Sequence, residues 1–381
     1  MTINRMWIYT KLKDITSPIT RIVGSAEVIP LSISAKNGFI PQIEKFGRDI
    51  SGKQYEKYIL LKKGEFAYNK GNSLTYPQGC VYRLEKYSKA AVPNVFECFE
   101  INDTNVSSEF IQYYFRANLH GKYLYKLVNS GVRNNGLLNL SSEDFYNLPI
   151  PCPPMEEQRR IVEVLECWDK GIELVKKLIE QKELQKKYLM QQLLSGNRRL
   201  KGFTQKWEKQ KLSSILSIQK GKQLNLLSLT KTGLYACLNG GITPSGYTDK
   251  FNTPANTISI SEGGNSCGYV NWNIEPFWAG GHCYTLSNVI INQKFLYFSL
   301  KIKEHDLMKL RVGSGLPNIQ KVSLENFVIS IPSSSKEQQA IAEVLSSADK
   351  EIDLLKQKLA KLEAQKKGLM QVLLTGKIRL K

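Results

Sequence analysis

Residues 157–201 read EQRRIVEVLECWDKGIELVKKLIEQKELQKKYLMQQLLSGNRRLK, and residues 337–381 read EQQAIAEVLSSADKEIDLLKQKLAKLEAQKKGLMQVLLTGKIRLK. Laid over one another at a constant offset of 180, they are identical at 24 of 45 positions without a gap. The chain carries a duplicated element, and internal duplication decides architecture before any local reading does. In the first copy Ile161, Leu165, Trp168, Ile172, Val175 and Ile179 step by four and three, and Leu189 and Leu193 rejoin the register. In the second copy Ile341, Leu345, Ala348, Ile352, Leu355, Leu359 and Leu362 do the same, followed by Leu369 and Leu373. A seam repeating every 3.5 residues over several heptads is a coiled-coil pattern. Lys182, Lys186 and Lys366 interrupt it, so the apolar grip is expected to loosen there.

Both copies carry helix punctuation. Pro153 and Pro154 precede the first, with Glu156 and Glu157 in its opening turn, where negative charge suits the helix N-terminus. Ser335 and Gln338 have capping-box spacing before the second. Gly196 and Gly376 suit the left-handed position that closes a helix. Roughly 38 residues lie between the caps, or about 57 Å of helix at ~1.5 Å per residue. Two register-matched copies on one chain meet at high effective concentration, so they are expected to pair with each other, antiparallel, rather than serve as a dimerisation rod.

Working outward, Trp7-x4-Leu12-x2-Ile15 opens the first intervening segment and Trp207-x4-Leu212-x2-Ile215 opens the second. Near the ends, Gly136-Leu-Leu-Asn139 is similar to Gly315-Leu-Pro-Asn318, and Phe145 and Phe327 each precede a Pro-bearing run into a helix. Between these marks the two segments do not align. Short β-rich runs alternate with Gly, Asn and Pro turns, and helical spacing appears near 108–128 and 293–310. The expected fold is α+β with a pseudo-two-fold internal repeat: a globular domain over 1–152, a helix over 153–201, a second globular domain over 202–332 and a helix over 333–381.

The 381 residues include 53 Lys+Arg against 34 Asp+Glu, a formal net charge of +19. Residues 1–150 hold 19 basic and 13 acidic side chains, and residues 203–330 hold 13 and 7, so each globule carries +6. No basic tail concentrates the surplus; two equally cationic bodies on a rigid spacer point to one long polyanion gripped twice, with double-stranded DNA the natural partner. No run of about 18 apolar residues is present to span a membrane, and MTINRMWIYTKLKD lacks the apolar core of a signal peptide. Seven cysteines without a CxxC pair read as reduced thiols of a cytoplasmic protein. Three histidines without HExxH leave no metal centre to expect, and no phosphate-binding Gly-x-x-x-x-Gly-Lys-Ser/Thr loop occurs. The Asp/Asn-Pro-Pro-aromatic motif of amine methylation is also missing. Glu180-x-Lys182 has nuclease-like spacing but sits on the helix as a solvated face. The chain reads as catalytically silent, with no cofactor of its own.

Residues 235–285 are rich in Asn, Ser, Thr, Tyr, Trp and Gly, side chains that hydrogen-bond base edges and phosphates while glycine admits close backbone approach. The candidates for DNA contact here are Asn239, Thr243, Ser245, Tyr247, Ser261, Asn265, Ser266, Tyr269 and His282. Several of these equally suit turns. In the first globule Lys53, Lys57 and Lys70 are placed to meet phosphates, and Gln54, Asn69, Asn72 and Ser73 to reach bases. Phe66 and Tyr68 fit a strand core better than stacking on bases.

With these residues in view, the whole chain resembles the specificity subunit of type I restriction–modification enzymes. The resemblance is carried by Glu-Gln-x-x-Ile at 157–161 and 337–341, the Leu-Met-Gln-x-Leu-Leu-Ser/Thr-Gly endings, and Gly-Phe-Thr-x-x-Trp at 202–207. Lys62-Lys-Gly-Glu-Phe-Ala-Tyr-Asn-Lys70 and the stretch from Asn239-Gly-Gly-Ile-Thr-Pro-Ser-Gly246 to Gly280-Gly-His-Cys-Tyr284 look like its target-recognition sequences. The resemblance implies two target-recognition domains, each reading half of an asymmetric, bipartite DNA site. It implies an antiparallel coil that sets the gap between the halves, and two modification (methyltransferase) subunits docked on the chain. Those partners would supply S-adenosylmethionine binding and adenine methylation, and restriction subunits would use ATP and Mg2+ to translocate and cut DNA. In an antiparallel pair the chain's end is also expected near residue 1, with the two globules about one turn of duplex apart, roughly 34 Å. The competing readings are a stand-alone DNA-modifying or DNA-cleaving enzyme and a coiled-coil scaffold for proteins.

Overall fold

A computed structural model of the chain describes residues 7–35, 37–71, 76–127, 140–313, 315 and 317–380. Its contacts divide it into two units, one of residues 1–174 with 358–381 and one of residues 175–357. The division cuts both long helices, Met155–Leu194 and Ser335–Leu373, so each helix gives one half to each unit. The modules drawn from sequence treat the helices as separate pieces; by contacts each helix half belongs to the globule it packs on.

The reason lies in the cores. In the first unit Ile161, Val162, Leu165, Met370, Leu373 and Leu374 are buried in one cluster with Leu12, Phe99, Phe110 and Phe115. In the second unit the residues 180 positions on or back, Ile341, Ala342, Leu345, Met190, Leu193 and Leu194, are buried with Leu212, Phe295 and Phe298. All seventeen seam positions are buried or half-buried. Full burial of one such Leu or Ile side chain stabilises by about 1.5–3 kcal/mol, so the seam governs the pairing.

Within each unit the helix halves run antiparallel. In the first, Asp169 pairs with Lys366 while Glu157, earlier on its helix, pairs with Arg379 beyond the other. In the second, Lys186 pairs with Asp349, Lys182 reaches Glu351 at 2.7 Å and Glu183 reaches Lys356 at 2.6 Å. The lysines expected to loosen the seam are therefore met across it by carboxylates, and Lys186 and Lys366 also lie over the rings of Phe298 and Tyr113. With Glu351 still 50% exposed, such pairs add at most about 1 kcal/mol each; they fix register more than stability.

The helix ends follow the sequence signals with one change. Gly196 and Gly376 adopt φ +75° and +69° just past each helix, a conformation that costs glycine nothing. The second helix, however, is capped by Ser334, whose hydroxyl accepts the Glu337 N–H at 3.4 Å, rather than by Ser335. Gln338 does not close a capping box. It accepts the Asn292 N–H at 2.9 Å and donates to the Pro332 carbonyl at 3.0 Å. Gln158 does the same in the first unit, accepting from Ser107 N and donating to Pro153 O, each at 2.8 Å. Ser107 and Asn292 are themselves N-caps, of helices Ser108–Arg116 and Gln293–Ile302, so each Gln ties a long helix to the packed helix of its globule.

The globules share a plan despite unlike sequences. The opening strand pairs antiparallel with the closing one: Ile8–Lys11 with Pro149–Cys152, and Trp207–Lys211 with Val328–Pro332. Next to it, Leu12 and Ile15, like Leu212 and Ile215, are at most 1% exposed. Each globule then builds a four-stranded antiparallel sheet. In the first the order is Thr16–Pro18, Glu97–Ile101, Phe66–Asn69, Cys80–Arg83; in the second it is Ser217–Lys220, Cys283–Ser287, Thr257–Ser261, Val270–Asn273. Phe66 and Tyr68 are wholly buried, as strand-core residues should be. The helical spacing near 108–128 resolves into Ser108–Arg116 and Gly121–Leu124, broken at Asn118 with φ +54°. Of the seven free cysteines, Cys80, Cys98, Cys237, Cys267 and Cys283 are buried. No helix among the described residues is long and apolar enough to cross a membrane.

Burial in the first core has a consequence for acid stability. His120 is fully buried, edge-on to Phe115, with Nε2 3.3 Å from the Gly79 carbonyl. A carbonyl only accepts, so Nε2 carries the proton of the neutral ring. Burial pushes its pKa down from the ordinary 6.5 to about 4, with the Gly79 hydrogen bond opposing. The unfolded chain therefore takes up this proton at higher pH than the folded one. Stability is full above the unfolded value and falls as pH drops from about 6.5 to about 4, by about 3 kcal/mol from this group. Urea melts of the first unit should show this loss, and His120→Gln should flatten it; an equal slope in both proteins contradicts the assignment.

Candidate nucleic-acid interface

The second unit brings three polar loops onto one another: the turn between strands Tyr235–Leu238 and Gly246–Thr248, the loop after Thr257–Ser261, and the turn before Cys283–Ser287. The Gly240 carbonyl accepts the Ser261 hydroxyl at 2.7 Å and the Ser266 hydroxyl as well. Asn239 Oδ1 accepts the His282 N–H at 3.0 Å, and the His282 carbonyl accepts the Glu262 N–H at 2.9 Å. Close approach makes this possible, since a Cβ on Gly280 would stand 2.7 Å from Asn239 Oδ1.

Under the lattice lies a carboxylate that composition-based reading passed over. Glu262 is 7% exposed. Its Oε1 accepts from Lys220 Nζ at 2.6 Å and from the Tyr284 hydroxyl at 3.1 Å; its Oε2 lies 3.1 Å from His282 Nδ1. The Tyr284 pKa is driven above its usual range by burial first and then by this carboxylate, so the phenol stays a donor. The only local signal for Glu262 is an acidic residue set in a strongly polar stretch, because Lys220 comes from a strand 42 residues away.

The candidates thus separate by what they already hold. Asn239 Oδ1 and the Ser261 and Ser266 hydroxyls are spent on the loop lattice, and Ser261 is buried. Tyr269 is half-buried with Lys301 Nζ 4.1 Å from its ring centroid, so that ring face is covered. Tyr247 is half-buried in its strand, while Thr243, Ser245, Asn265 and His282 are exposed.

In the first unit Lys53, Gln54 and Lys57 stand exposed on the short helix Gly52–Lys57. Asn69 folds back to accept the Gly71 N–H at 2.9 Å, and Lys70 pairs with Glu97 at 2.8 Å. Asn72 and Ser73 lie outside the described residues. No group of three His, Cys, Asp or Glu able to hold a metal occurs among the described residues.

In the first unit Glu157 accepts both Nε and Nη2 of Arg379 at 2.6 Å, Trp7 Nε1 at 3.2 Å and the Leu380 N–H at 3.2 Å. Burial works against its ionisation, but the hydrogen bonds from Arg379 and Trp7 outweigh it and hold the carboxyl below its ordinary pKa. The Arg379 guanidinium lies 5.6 Å from the Trp7 ring centroid. The end of the chain is thus folded against Trp7, the first described residue. Glu337, Arg199 and Trp207 repeat the arginine fork and its ring contact in the second unit, where residue 200 leads onward into the second globule.

A family model described as the type I restriction modification DNA specificity domain matches residues 10–184 and again 204–364. A putative type I specificity subunit of Mycoplasma genitalium is 37% identical over 152 residues, 39% of this chain and 39% of that protein. One of Mycoplasma pneumoniae is 38% identical over 152 residues, 39% and 40% of the two chains. The chain therefore aligns with about two fifths of the length of either Mycoplasma relative. The specificity subunit of the type I restriction enzyme MjaVIII of Methanocaldococcus jannaschii is 28% identical over 289 residues, 67% of this chain and 68% of that one. Among solved structures, the S subunit of a type I restriction–modification system from M. genitalium superposes with a TM-score of 0.60 at 17% identity, over 98% of this chain and 97% of that one. A chain from work on complex assembly and conformational transition of the type I system gives 0.63 at 17% identity, over 99% and 100%. At such identity the likeness is one of fold.

Proposed function

The chain belongs to the family described by the type I restriction modification DNA specificity domain, and from that premise we propose that it is the non-catalytic, DNA-reading subunit of a type I restriction–modification complex. Each globule reads one half of an asymmetric bipartite duplex site, and the paired helices set the gap between halves. One observation carries the reading. The helical scaffold repeats two ion pairs at matched positions, Arg379–Glu157 matching Arg199–Glu337 and Lys366–Asp169 matching Lys186–Asp349, whereas the globules it bears differ in their loops. A repeated frame with unlike readers suits a target whose halves are unlike. The +6 on each globule supplies the attraction to phosphates.

Chemistry then falls to partners. Two modification subunits dock on the chain and bring S-adenosylmethionine and adenine methylation; restriction subunits bring ATP- and Mg2+-dependent translocation and cleavage. The complex works in the prokaryotic cytoplasm, where its substrate is.

Binding of the full chain with its modification subunits to duplex DNA should weaken with salt, log K falling by about 0.9 per phosphate neutralised for each unit of log salt. One two-part sequence should be preferred over competitor by roughly 10³-fold or more. A flat salt response, or no sequence preference, contradicts the proposal. Methyl transfer by the chain alone with S-adenosylmethionine would instead identify an enzyme.

A further inference from the structure

Resting on that reading, we propose that Glu262 is a positioning residue that holds the proton of the neutral His282 ring on Nδ1, so that Nε2 is offered to DNA as an acceptor and selects a base presenting an exocyclic amine, adenine N6 or cytosine N4.

Glu262 holds the Lys220 ammonium at 2.6 Å, a phenolic hydroxyl and an imidazole nitrogen. A carboxylate so placed against a cation is ionised and only accepts. His282 Nδ1, 3.1 Å away, must therefore be the donor. In a neutral imidazole the other nitrogen then keeps its lone pair. Nε2 has no hydrogen-bond partner among the described residues, and the His282 side chain is 61% exposed. The backbone beneath it is pinned on both sides, its N–H to Asn239 and its carbonyl to the Glu262 N–H. The ring is thus an exposed acceptor on a fixed base, beside Ser261 and Ser266 hydroxyls that are turned inward. In the major groove only adenine N6 and cytosine N4 offer an N–H to such an acceptor, while guanine and thymine edges present acceptors at the corresponding position.

The groups that face the ring pair from packed elements are Lys220 on the strand Ser217–Lys220 and Tyr284 on Cys283–Ser287. Lys220 and Tyr284 share Oε1 of Glu262, which leaves Oε2 to orient His282.

The test uses the full chain with its modification subunits, a duplex library randomised in both half-sites, and about pH 8, where an ordinary histidine is neutral. Wild type should show one position, in one half-site, favouring adenine or cytosine by about tenfold. His282→Ala, a change at an exposed side chain, should erase that preference and leave the other positions intact. Glu262→Gln frees the tautomer, since an amide can donate as well as accept, and should weaken the same preference. With 15N-labelled histidine, the wild-type His282 ring should carry its proton on Nδ1, and Glu262→Gln should shift it toward Nε2; a merely structural Glu262 would not move this signature. A wild-type proton on Nε2, or His282→Ala with an unchanged motif, overturns the inference while the reading of function stands. A wild-type complex that selects no sequence overturns both.

Discussion

Replacing Leu345 by Asp is expected to unfold the second unit. Leu345 is 0% exposed in the cluster that joins the helix halves to Phe295, Phe298 and Ile341. The substitution removes a buried Leu side chain, a change that costs about 2–5 kcal/mol when a cavity is left, and puts a carboxylate with no partner among apolar side chains, which adds several kcal/mol more. The sum is about the whole stability of an ordinary domain, roughly 5–15 kcal/mol. Hydrogen exchange should report loss of protection across the sheet of strands Thr257–Ser261 and Cys283–Ser287. Binding to the half-site read by that globule should vanish. Leu165, buried to the same extent at the matching place in the first unit, provides the reciprocal experiment: Leu165→Asp should remove protection in the first unit. A folded, site-binding Leu345→Asp protein would mean that the seam does not hold the globule.

Removing one arginine from each of the two matching clamps should give unequal losses. Glu337 is 0% exposed and among the described residues its side chain has one partner, the two-pronged contact from Arg199 at 2.6 Å. Arg199→Ala leaves that carboxylate buried and unpaired, a loss of about 3–5 kcal/mol. Glu157, by contrast, keeps the Trp7 indole N–H and the Leu380 N–H when Arg379 is removed, and Arg379→Ala should cost about 2 kcal/mol, the worth of hydrogen bonds to a charged group. The difference traces to the two donors that Glu157 keeps: among the described residues Trp207 Nε1 has no partner where Trp7 Nε1 has Glu157, and Glu337 has no backbone donor to match the Leu380 N–H. Urea midpoints of the two variants should differ in this order, and Glu337→Leu added to Arg199→Ala should recover part of the loss. Equal losses would show that the Trp7 and Leu380 donors contribute nothing.

The scaffold was legible because its signals are local. Heptad spacing, Gly196 and Gly376 at the helix stops, and the Trp-x4-Leu-x2-Ile openings each specify conformation within a few residues. What the sequence does not expose is whatever depends on partners far along the chain. The opening and closing strands of the second globule, Trp207–Lys211 and Val328–Pro332, pair across the whole domain, and nothing near Trp207 announces that. For the same reason Lys182, Lys186 and Lys366 read as gaps in a seam, although Glu351, Asp349 and Asp169 complete them from the other helix. The polar loops were found by composition, which marks a region but cannot tell an outward donor from one spent inward. Ser261 and Ser266 face Gly240 and His282 faces out, a distinction set by three loops meeting. Glu262 went unseen because its role comes from Lys220, Tyr284 and His282 together.

The claim that the paired helices measure the distance between half-sites meets its most direct test in a chain lengthened by one heptad in each helix, at matched positions such as after residues 177 and 357. Seven residues add about 10.5 Å of helix at ~1.5 Å per residue, or about three base pairs at ~3.4 Å each. Sequencing the methylated sites made with the modification subunits should return both half-site sequences unchanged, with the gap between them about three base pairs longer. An unaltered gap, or altered half-sites, would contradict the account.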